Sequence, residues 1–378
     1  MAPQSIPSVG GARTDPTAPR VAVVGAGVAG LTCARELCLC GFDPVIFEAD
    51  DRVGGRCSSR ATGIGWFDDG AQCITGFTRL PSYAPQRPGE LAVLHPWTVP
   101  ATAAESERDS KARDEDEDET PAGRTLKLMG AVGVPSMLAL ADAVAQPLDV
   151  RLCTPIFQAR RRGARWTLRS VTGEIDEDFQ ALVLALPAPL ALRLLPPSVP
   201  LAAALRSVRY RSRWVLLLGS ERNVGLPGYR EFQGSPIERV AAMHSKPGRP
   251  THLPQRWFVE ADELWSVQHE HDDAETVAEL LLDNFRAHAG RAVTPNYLRA
   301  HQWRHAFVAT ASPQPGQLKC LWDSGTQLGI CGDSVVCSRV DRVHASGVAL
   351  ARLVAAGLSS HRTYEVGQAR EREPAVQI

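Results

Sequence analysis

Residues 20–30, Arg20-Val-Ala-Val-Val-Gly-Ala-Gly-Val-Ala-Gly30, decide the fold of this chain. The apolar run Val21–Val24 is typical of a buried strand in a parallel sheet. Leu31–Leu39 is predicted to continue as a helix and Pro44–Glu48 as a second strand, which completes a βαβ unit. Glycines at positions 25, 27 and 30 permit a tight turn, a close approach of a ligand to the backbone, and helix–strand packing. We therefore predict an α/β fold with a dinucleotide-binding turn at Gly25, Gly27 and Gly30.

Two features that follow this turn indicate the kind of ligand. Glu48 closes the second predicted strand at about the separation expected for a carboxylate that binds the ribose hydroxyls of an adenosine. In the segment Arg52-Val-Gly54-Gly55-Arg56, the paired glycines let the backbone approach a cofactor, and Arg56 offers a planar guanidinium to a phosphate. A nicotinamide dinucleotide site has no need of this second element, so the sequence favours a flavin site.

A third element lies near the far end of the chain. Gly332-Asp333 follows a predicted strand, Gln327–Cys331, and precedes a predicted helix, Ala345–Leu358. On its own this pair predicts only a turn with a helix cap. Together with the two N-terminal elements it predicts an extended cofactor, FAD, with Asp333 bound to a ribityl hydroxyl.

Composition limits the class of protein. The chain has 378 residues, of which 44% are hydrophobic and 22% are charged, and its formal net charge is -1. This composition is typical of a folded protein, and the length suggests two lobes. The near-zero charge argues against a nucleic-acid partner, and no apolar stretch is long enough for a membrane span. The nine cysteines include no Cys-x-x-Cys pair, so we expect a reducing, cytoplasmic setting without a disulfide framework or a metal site.

The chain is expected to form a discontinuous pair of domains. We assign the FAD-binding domain to residues 20–80, 125–195 and 320–360, the substrate domain to residues 196–319, and a variable segment with an acidic insertion at 105–119 to residues 81–124. Residues 1–19 are expected to form a disordered tail, because they carry little apolar surface, and residues 361–378 a second tail. Thr276–Ala289 is predicted as a helix with Val277, Leu280, Leu281 and Phe285 on one face. Further strands are predicted at Leu148–Leu152, Arg165–Ser170, Phe179–Leu186, Ser212–Gly219 and Gln255–Ala261.

Several local blocks make the chain resemble the renalase family, especially its bacterial branch. The blocks that many flavoproteins share are Gly54-Gly-Arg56 and Gly332-Asp333, and the more specific blocks are Ser245-Lys-Pro-Gly-Arg249 and Trp265-Ser266 with His269. The other matching blocks are Asp69-Gly-Ala-Gln72, Val134-Pro-Ser-Met137, Leu184-Ala-Leu-Pro-Ala-Pro189, Trp303-Arg304 and Ser346-Gly347. The likeness extends from about Arg20 to Leu358.

This resemblance implies a glutathione-reductase-type, Rossmann-like FAD-binding domain and a second, sheet-based substrate domain similar to that of amine oxidases. It also implies oxidation of a small dihydropyridine-like substrate, such as an isomeric form of reduced NAD(P), by hydride transfer to flavin N5 with dioxygen (O2) as acceptor. By the same likeness, the residues that contact FAD are Ala29, Glu48, Arg56, Gly70, Ala71 and Gln72, with the backbone of Ile156 near the adenine.

The chain departs from the family pattern in the predicted substrate domain. Arg239 stands where a tryptophan is expected, His305 replaces a tyrosine, and Cys73-Ile74 replaces an aromatic pair. These changes affect the expected substrate more than the expected FAD site.

Candidate substrate residues follow from the chemistry of hydride transfer, which needs a positioned donor carbon rather than a protein nucleophile. Lys246, Arg249 and Arg304 are candidates for positioning an anionic substrate, with Trp265 and Trp303 as apolar walls. The alternatives are a solvated turn around the two cations of the Ser245–Arg249 block and an ordinary core position for each tryptophan. His244 and His269 are candidates for proton transfer, with a structural role as the alternative.

Three functions remain open on the sequence alone. The first is a renalase-like FAD-dependent oxidase. The second is an amine oxidase or a polyene oxidase or desaturase, because the Gly-Gly-Arg element is common to those flavoproteins. The third is a non-catalytic FAD-binding protein that has lost its substrate pocket.

Overall fold

The fold is that of a computed structural model, which describes residues 17–76, 93–100, 126–146, 148–175, 177–196, 198–251, 254–310 and 318–371. Most of the predicted N-terminal tail, the acidic insertion at 105–119 and the end of the predicted C-terminal tail lie outside these residues. The chain divides into two compact units. Unit 1 comprises Met1–Gly55, Ala141–Tyr210 and Phe307–Ile378, and unit 2 comprises Arg56–Leu140 and Arg211–Ala306.

The strands and helices are numbered here in chain order. The described strands are β1 (Arg20–Val24), β2 (Asp43–Phe47), β3 (Ser59–Thr62), β4 (Gly65–Asp68), β5 (Leu94–Pro100), β6 (Leu126–Gly133), β7 (Asp149–Arg151), β8 (Ile156–Arg162), β9 (Arg165–Ser170), β10 (Gly173–Glu174), β11 (Ala181–Leu184), β12 (Arg209–Ser220), β13 (Tyr229–Glu231), β14 (Ile237–Ala242), β15 (Gln255–Ala261), β16 (Pro295–Thr310), β17 (Leu321–Asp323) and β18 (Leu328–Ile330). The described α-helices are α1 (Val28–Leu39), α2 (Leu138–Ala145), α3 (Ala188–Leu194), α4 (Pro200–Leu205), α5 (Glu263–Gln268), α6 (Ala274–Ala289) and α7 (Val340–Glu371).

Unit 1 is organised around a six-stranded sheet of order β17-β18-β11-β1-β2-β7, in which β17 is the only antiparallel strand. In the central strand β1, Val23 pairs with Ile46 on one side and Val183 on the other. These side chains are fully buried, as expected for a parallel sheet that is covered on both faces. A separate antiparallel sheet, β10-β9-β8, completes the strands described in this unit.

Unit 2 contains a five-stranded sheet of order β13-β14-β15-β12-β16 and two hairpin-like pairs, β3-β4 and β5-β6. Its apolar core joins Trp257 and Val259 of β15 to Leu281 and Phe285 of α6. At the start of α6, the Asp273 carboxylate accepts a hydrogen bond from the N–H of Thr276 (2.8 Å) and caps the helix.

The structure confirms the predicted βαβ unit as β1, α1 and β2, with α1 beginning at Val28. The observed β9 and β15 have the predicted bounds. On α6, Val277, Leu281 and Phe285, which are four residues apart, face the core, whereas the Leu280 side chain is 38% exposed. The last helix is longer than predicted and continues to Glu371.

Residues 56–76 and 126–140, which the sequence analysis placed in the FAD-binding domain, pack within unit 2. The physical reason is that β4 ends at Asp68, whose carboxylate pairs with two cations of unit 2. Whether these residues serve the cofactor stays a prediction, as do the functional domain boundaries. Among the described helices, none combines the length and the apolar character needed to cross a bilayer.

Candidate cofactor and substrate sites

In the glycine turn after β1, the surrounding backbone leaves no room for a side chain at Gly25 and Gly30 but leaves open space at Gly27. A Cβ on Gly25, which has φ of +104°, would lie 2.7 Å from the carbonyl oxygen of Ala185, and one on Gly30 would overlap the carbonyl oxygen of Gly25. A Cβ on Gly27 would meet nothing within 4 Å. Gly25 and Gly30 are therefore needed for the fold of the turn, whereas the space beside Gly27 is available to a ligand.

The N-terminus of α1 offers backbone donors beside this open space. Gly27 is the N-cap residue, and no side chain caps the helix. No side chain competes for the N–H groups of the first helical turn, so these donors are candidates for binding a ligand. Because they point along the positive end of the helix dipole, they suit an anion such as a pyrophosphate.

Glu48 is fixed against the same turn. One carboxylate oxygen, Oε2, accepts a hydrogen bond from the N–H of Ala26 (2.7 Å), and Oε1 accepts one from the N–H of Asp50 (3.0 Å). Burial raises the pKa of Glu48 above its ordinary value, against the lowering effect of these hydrogen bonds. The structure thus brings the predicted ribose ligand to the predicted pyrophosphate turn.

The second glycine element touches the first. The N–H of Gly54 donates to the carbonyl of Ala26 (2.8 Å), and Gly27 and Gly54 form an isolated parallel β-bridge. Gly55 has φ of +54°, and a Cβ there would lie 3.5 Å from the Cα of Gly27. The two glycine elements that the sequence analysis singled out therefore form one continuous backbone surface in unit 1.

The C-terminal element meets the start of α1. A Cβ on Gly332, which has φ of +110°, would lie 3.6 Å from the Cβ of Ala29, and one on Gly347 would lie 2.5 Å from the carbonyl oxygen of Ala29. Next to Gly332, the carboxylate of Asp333 is 3% exposed and accepts hydrogen bonds from the hydroxyls of Tyr210 and Ser338, both at 3.0 Å. Elements from both ends of the chain therefore converge within unit 1.

These residues of unit 1 fit FAD. The uncapped helix suits the pyrophosphate, the open side of Gly27 admits it, and Glu48 and Asp333 are carboxylates able to bind sugar and ribityl hydroxyls. Ile156 is the half-buried first residue of β8 and packs against the apolar core of unit 1. Its contact with the adenine stays a prediction.

In unit 2, the candidate cofactor residues Arg56, Gly70 and Ala71 contact one another. Arg56 donates through Nη1 to the carbonyls of His305 (3.0 Å) and Ala306 (3.3 Å), and its own carbonyl accepts the N–H of Ala71 (2.8 Å). A Cβ on Gly70 would overlap this same carbonyl, so only glycine fits there. The phosphate contact of Arg56 and the flavin contacts of Gly70 and Ala71 stay predictions.

Lys246 and Arg249 lie in a buried ion cluster rather than in a solvated turn. The ammonium of Lys246 donates to Asp68 Oδ2 and to Gln72 Oε1, both at 2.9 Å, and Arg249 Nη2 donates to Asp68 Oδ2 at 2.8 Å. All three charged side chains are at most 1% exposed. Gln72 in turn donates through Nε2 to the carbonyls of Asp68 and Gly70, both at 2.8 Å.

This cluster controls the protonation of its members. Burial alone would raise the pKa of Asp68, but the cations of Lys246 and Arg249 hold it well below its ordinary value. Burial lowers the pKa of Lys246, and Asp68 opposes that effect. The carboxylate is therefore ionised at neutral pH. A substrate-positioning role for the two cations stays a prediction, and their pairing gives them a structural role already.

The tryptophan candidates have packing and hydrogen-bonding partners. Trp265 packs against the core of unit 2, and its ring lies 4.0 Å from that of His269. Nδ1 of His269 lies 2.6 Å from Asp272 Oδ2. Trp303 donates through Nε1 to the carbonyl of Asp69 (2.7 Å). The structure thus shows partners for both rings, and their roles as walls of a substrate pocket stay predictions.

The remaining polar candidates lie on unit 2 as well. Arg304 is exposed and lines an open cavity of about 520 Å³ beside Arg299, His301 and Glu270. His244 packs edge-on against the Trp257 ring, and burial lowers its pKa, so it is neutral at pH 7. Among the described residues, no group of three or more side chains is arranged to hold a metal ion.

Arg239, which replaces the expected tryptophan, is neutralised by its neighbour on β15. It donates through Nε and Nη2 to the two carboxylate oxygens of Glu260, at 2.8 and 3.0 Å. The two residues are register partners across β14 and β15, and Glu260 is 5% exposed. The departure from the family pattern is therefore a paired, cross-strand ion bridge.

Asp68, Tyr210 and Ser338 were not predicted from the sequence. Asp68 directly precedes the Asp69–Gln72 block, so its position beside a matching block could have identified it as a candidate. Tyr210 and Ser338 lie 123 and 5 residues from Asp333 along the chain and belong to no motif.

Comparisons with known proteins bear on the family and the fold of this chain. Residues 23–84 match the sequence profile of the NAD(P)-binding Rossmann-like domain, and residues 99–365 match that of the flavin containing amine oxidoreductases. The cyclohexylamine oxidase of Brevibacterium oxydans has a similar fold, with a TM-score of 0.64 and 13% identity over 90% of this chain and 100% of that chain.

Two curated relatives match only a short segment. The lysine-specific histone demethylase 1B homolog of Caenorhabditis elegans is 44% identical over 59 residues, which are 15% of this chain and 7% of that protein. Protoporphyrinogen oxidase 2, chloroplastic/mitochondrial, of Arabidopsis thaliana is 51% identical over 57 residues, which are 15% of this chain and 11% of that protein. The matches thus span about a tenth of these relatives or less.

Proposed function

Because this chain belongs to the flavin-containing amine oxidoreductase family, whose members bind FAD, we propose that it is an FAD-dependent oxidase of a small nitrogen compound. The observation that carries the proposal is the uncapped start of α1, with open space beside Gly27 and the Glu48 carboxylate fixed next to it. Bound FAD supplies the electron sink that takes a hydride from the substrate and passes the electrons to dioxygen.

The protein groups have binding and positioning roles in this proposal. The first-turn N–H groups of α1 bind the pyrophosphate, Glu48 binds the ribose, and Asp333 binds the ribityl chain. Arg56, Gly70, Ala71, Gln72 and Ile156 are proposed as further contacts. A protein nucleophile is not required, so the rate depends on how well the substrate carbon is positioned.

An amine is the substrate class that family membership supports best. Oxidation removes a hydride from the carbon next to nitrogen, and the nitrogen lone pair forms the C=N bond of an iminium. Dioxygen takes up the two electrons together with two protons, one from the transferred hydride and one from solvent, and leaves as hydrogen peroxide. The overall change is therefore neutral amine plus dioxygen plus one proton to iminium plus hydrogen peroxide.

A renalase-like activity on a dihydropyridine, such as an isomer of reduced NAD(P), is the second candidate. It follows the same electron balance, because a dihydropyridine loses a hydride to give an aromatic pyridinium. The motif likeness of Ser245–Arg249 favours it. Against it, Lys246 and Arg249 are already paired with Asp68, so neither is a ready site for the phosphates of such a substrate.

Anaerobic mixing of the holoprotein with candidate substrates tests the proposal. Loss of the flavin absorbance with primary or secondary amines supports the amine class, and loss with isomeric dihydronicotinamides only supports the renalase-like class. Loss of the flavin absorbance with hydrophobic polyenes only would indicate a polyene oxidase or desaturase. Retained FAD with no loss for any of the three would overturn the proposed oxidase.

A further inference from the structure

Two hydroxyl groups fix the carboxylate of Asp333. Tyr210 donates its phenolic hydroxyl to Oδ1, and Ser338 donates its hydroxyl to Oδ2, both at 3.0 Å. The Tyr210 oxygen also accepts a hydrogen bond from the N–H of Ala188 (3.4 Å). Because each oxygen accepts one of these hydroxyls, rotation of the carboxylate breaks both hydrogen bonds, so these two residues contribute to fixing its plane.

Both hydroxyls belong to a network that reaches the ends of two long strands. Tyr210 is the second residue of β12, and the Ser338 oxygen accepts the N–H of Val308 (2.9 Å), near the end of β16. Tyr210 and Val308 also pack against the apolar core of unit 1. The chain leaves unit 1 after Tyr210 and returns to it at Phe307. The Asp333 carboxylate is thus hydrogen-bonded directly to Tyr210 near the start of β12 and is linked through Ser338 to Val308 near the end of β16.

We propose that Tyr210 and Ser338 are positioning residues for FAD: they orient Asp333 toward the cofactor and make the stability of these two strand ends depend on FAD binding. The inference rests on the role proposed above for Asp333. A carboxylate accepts about four hydrogen bonds, so the two hydroxyls do not by themselves prevent Asp333 from binding a cofactor hydroxyl.

The dependence follows from linkage. A ligand that binds Asp333 only in its fixed orientation stabilises the hydrogen bonds that fix it. Those bonds hold the N–H of Val308 and the hydroxyl of Tyr210, so FAD binding slows local opening of both strand ends. Without the hydroxyls, FAD itself has to supply the part of the order of Asp333 that they contributed, which reduces the affinity.

Titration of the full-length apoprotein with FAD tests the first half of the proposal. Tyr210→Phe and Ser338→Ala are each expected to weaken FAD binding about tenfold, in line with the loss of one hydrogen bond to a charged group, whereas Ser338→Thr retains the hydroxyl and the affinity. Tyr297→Phe and Ser207→Ala are matched controls with parental affinity. Tyr297 stacks on Phe67 in unit 2, and Ser207 is exposed and donates only to the carbonyl of Ala204.

Hydrogen exchange with and without FAD tests the second half. In the parent protein, FAD is expected to protect peptides that contain Val308 and Tyr210, and this FAD-dependent difference is expected to disappear in Ser338→Ala. A merely structural role would lower protection equally in both states and leave the difference intact. If Tyr210→Phe fails to fold, Ser338→Ala and Ser338→Thr alone decide the matter.

The results separate this inference from the proposal on which it rests. Weak FAD binding by Asp333→Asn together with parental binding by Tyr210→Phe and Ser338→Ala would overturn the inference and leave the cofactor role of Asp333 intact. Parental binding by Asp333→Asn would overturn both the inference and the proposed cofactor role of Asp333. Weak binding by all three variants, with loss of the FAD-dependent protection, establishes the positioning role.

Discussion

The glycine turn of unit 1 and the ion cluster of unit 2 use their polar groups in opposite ways. At the turn, the first-turn N–H groups of α1 have no capping side chain, and the space beside Gly27 is open. In the cluster, the charges of Lys246 and Arg249 are met by Asp68. Both regions belong to recognisable sequence motifs, but only the turn leaves its groups available. The two motifs therefore differ in whether their polar groups are available to a ligand, and not in whether they contain polar groups.

Removal of the carboxylate that Lys246 and Arg249 share is expected to have the largest effect on stability. Asp68→Asn leaves two buried cations without their counter-ion, and we expect it to lower the free energy of unfolding by about 3–5 kcal/mol. Urea unfolding of the apoprotein measures this. Asp283→Asn is the matched control, because Asp283 is 71% exposed and pairs only with Arg286, and it should cost less than about 1 kcal/mol. A loss below about 1 kcal/mol for Asp68→Asn would mean that the cluster is not structural.

Acid is expected to remove the stabilisation that the ionised Asp68 carboxylate provides. The folded-state pKa of Asp68 lies below its unfolded value of about 3.9. The stabilisation by its ionised form is therefore fully present above that value and is lost as the pH falls through the folded pKa. We expect the stability difference between the parent protein and Asp68→Asn to be constant from pH 7 to pH 5 and to shrink below about pH 4. A difference that grows on acidification would contradict the assigned charges.

The glycines of the turn are expected to separate into two kinds. Gly30→Ala places a methyl group against the carbonyl of Gly25 and should destabilise the apoprotein by about 1–3 kcal/mol. Gly27→Ala meets no atom within 4 Å and should cost less than about 1 kcal/mol. Thermal unfolding without FAD measures both. Equal losses for the two variants would show that the turn is not divided into packed and open sides.

Ligand binding gives the smallest expected effect. Gly27→Ala fills the open space with a methyl group, and we expect its FAD affinity to fall about tenfold, or about 1.4 kcal/mol. Fluorescence titration of the apoprotein measures the affinity. Gly63→Ala is the control, because a Cβ there also meets nothing within 4 Å but lies in the loop between β3 and β4. Parental affinity in Gly27→Ala would place the cofactor elsewhere.

The comparison also explains what the sequence predicts well. The βαβ unit and the glycine turn depend on residues within about thirty positions of one another, and their periodicity is complete in the sequence. The Asp68–Lys246 bond joins residues 178 positions apart, and no local pattern encodes it. The strand β16 escaped prediction because polar residues such as Gln302 and Arg304 occupy it without an alternating apolar face.

The cross-strand bond between Arg239 and Glu260 has a consequence for the history of this protein. Replacing Arg239 alone by tryptophan would leave the buried Glu260 carboxylate with only its longer contact to Arg213 (3.5 Å). Replacing Glu260 alone would leave Arg239 with only its longer contact to Glu238 (3.6 Å). Each single replacement is expected to destabilise the protein, so the two positions are expected to change together in evolution. Relatives that carry tryptophan at the first position should therefore carry an uncharged residue at the second.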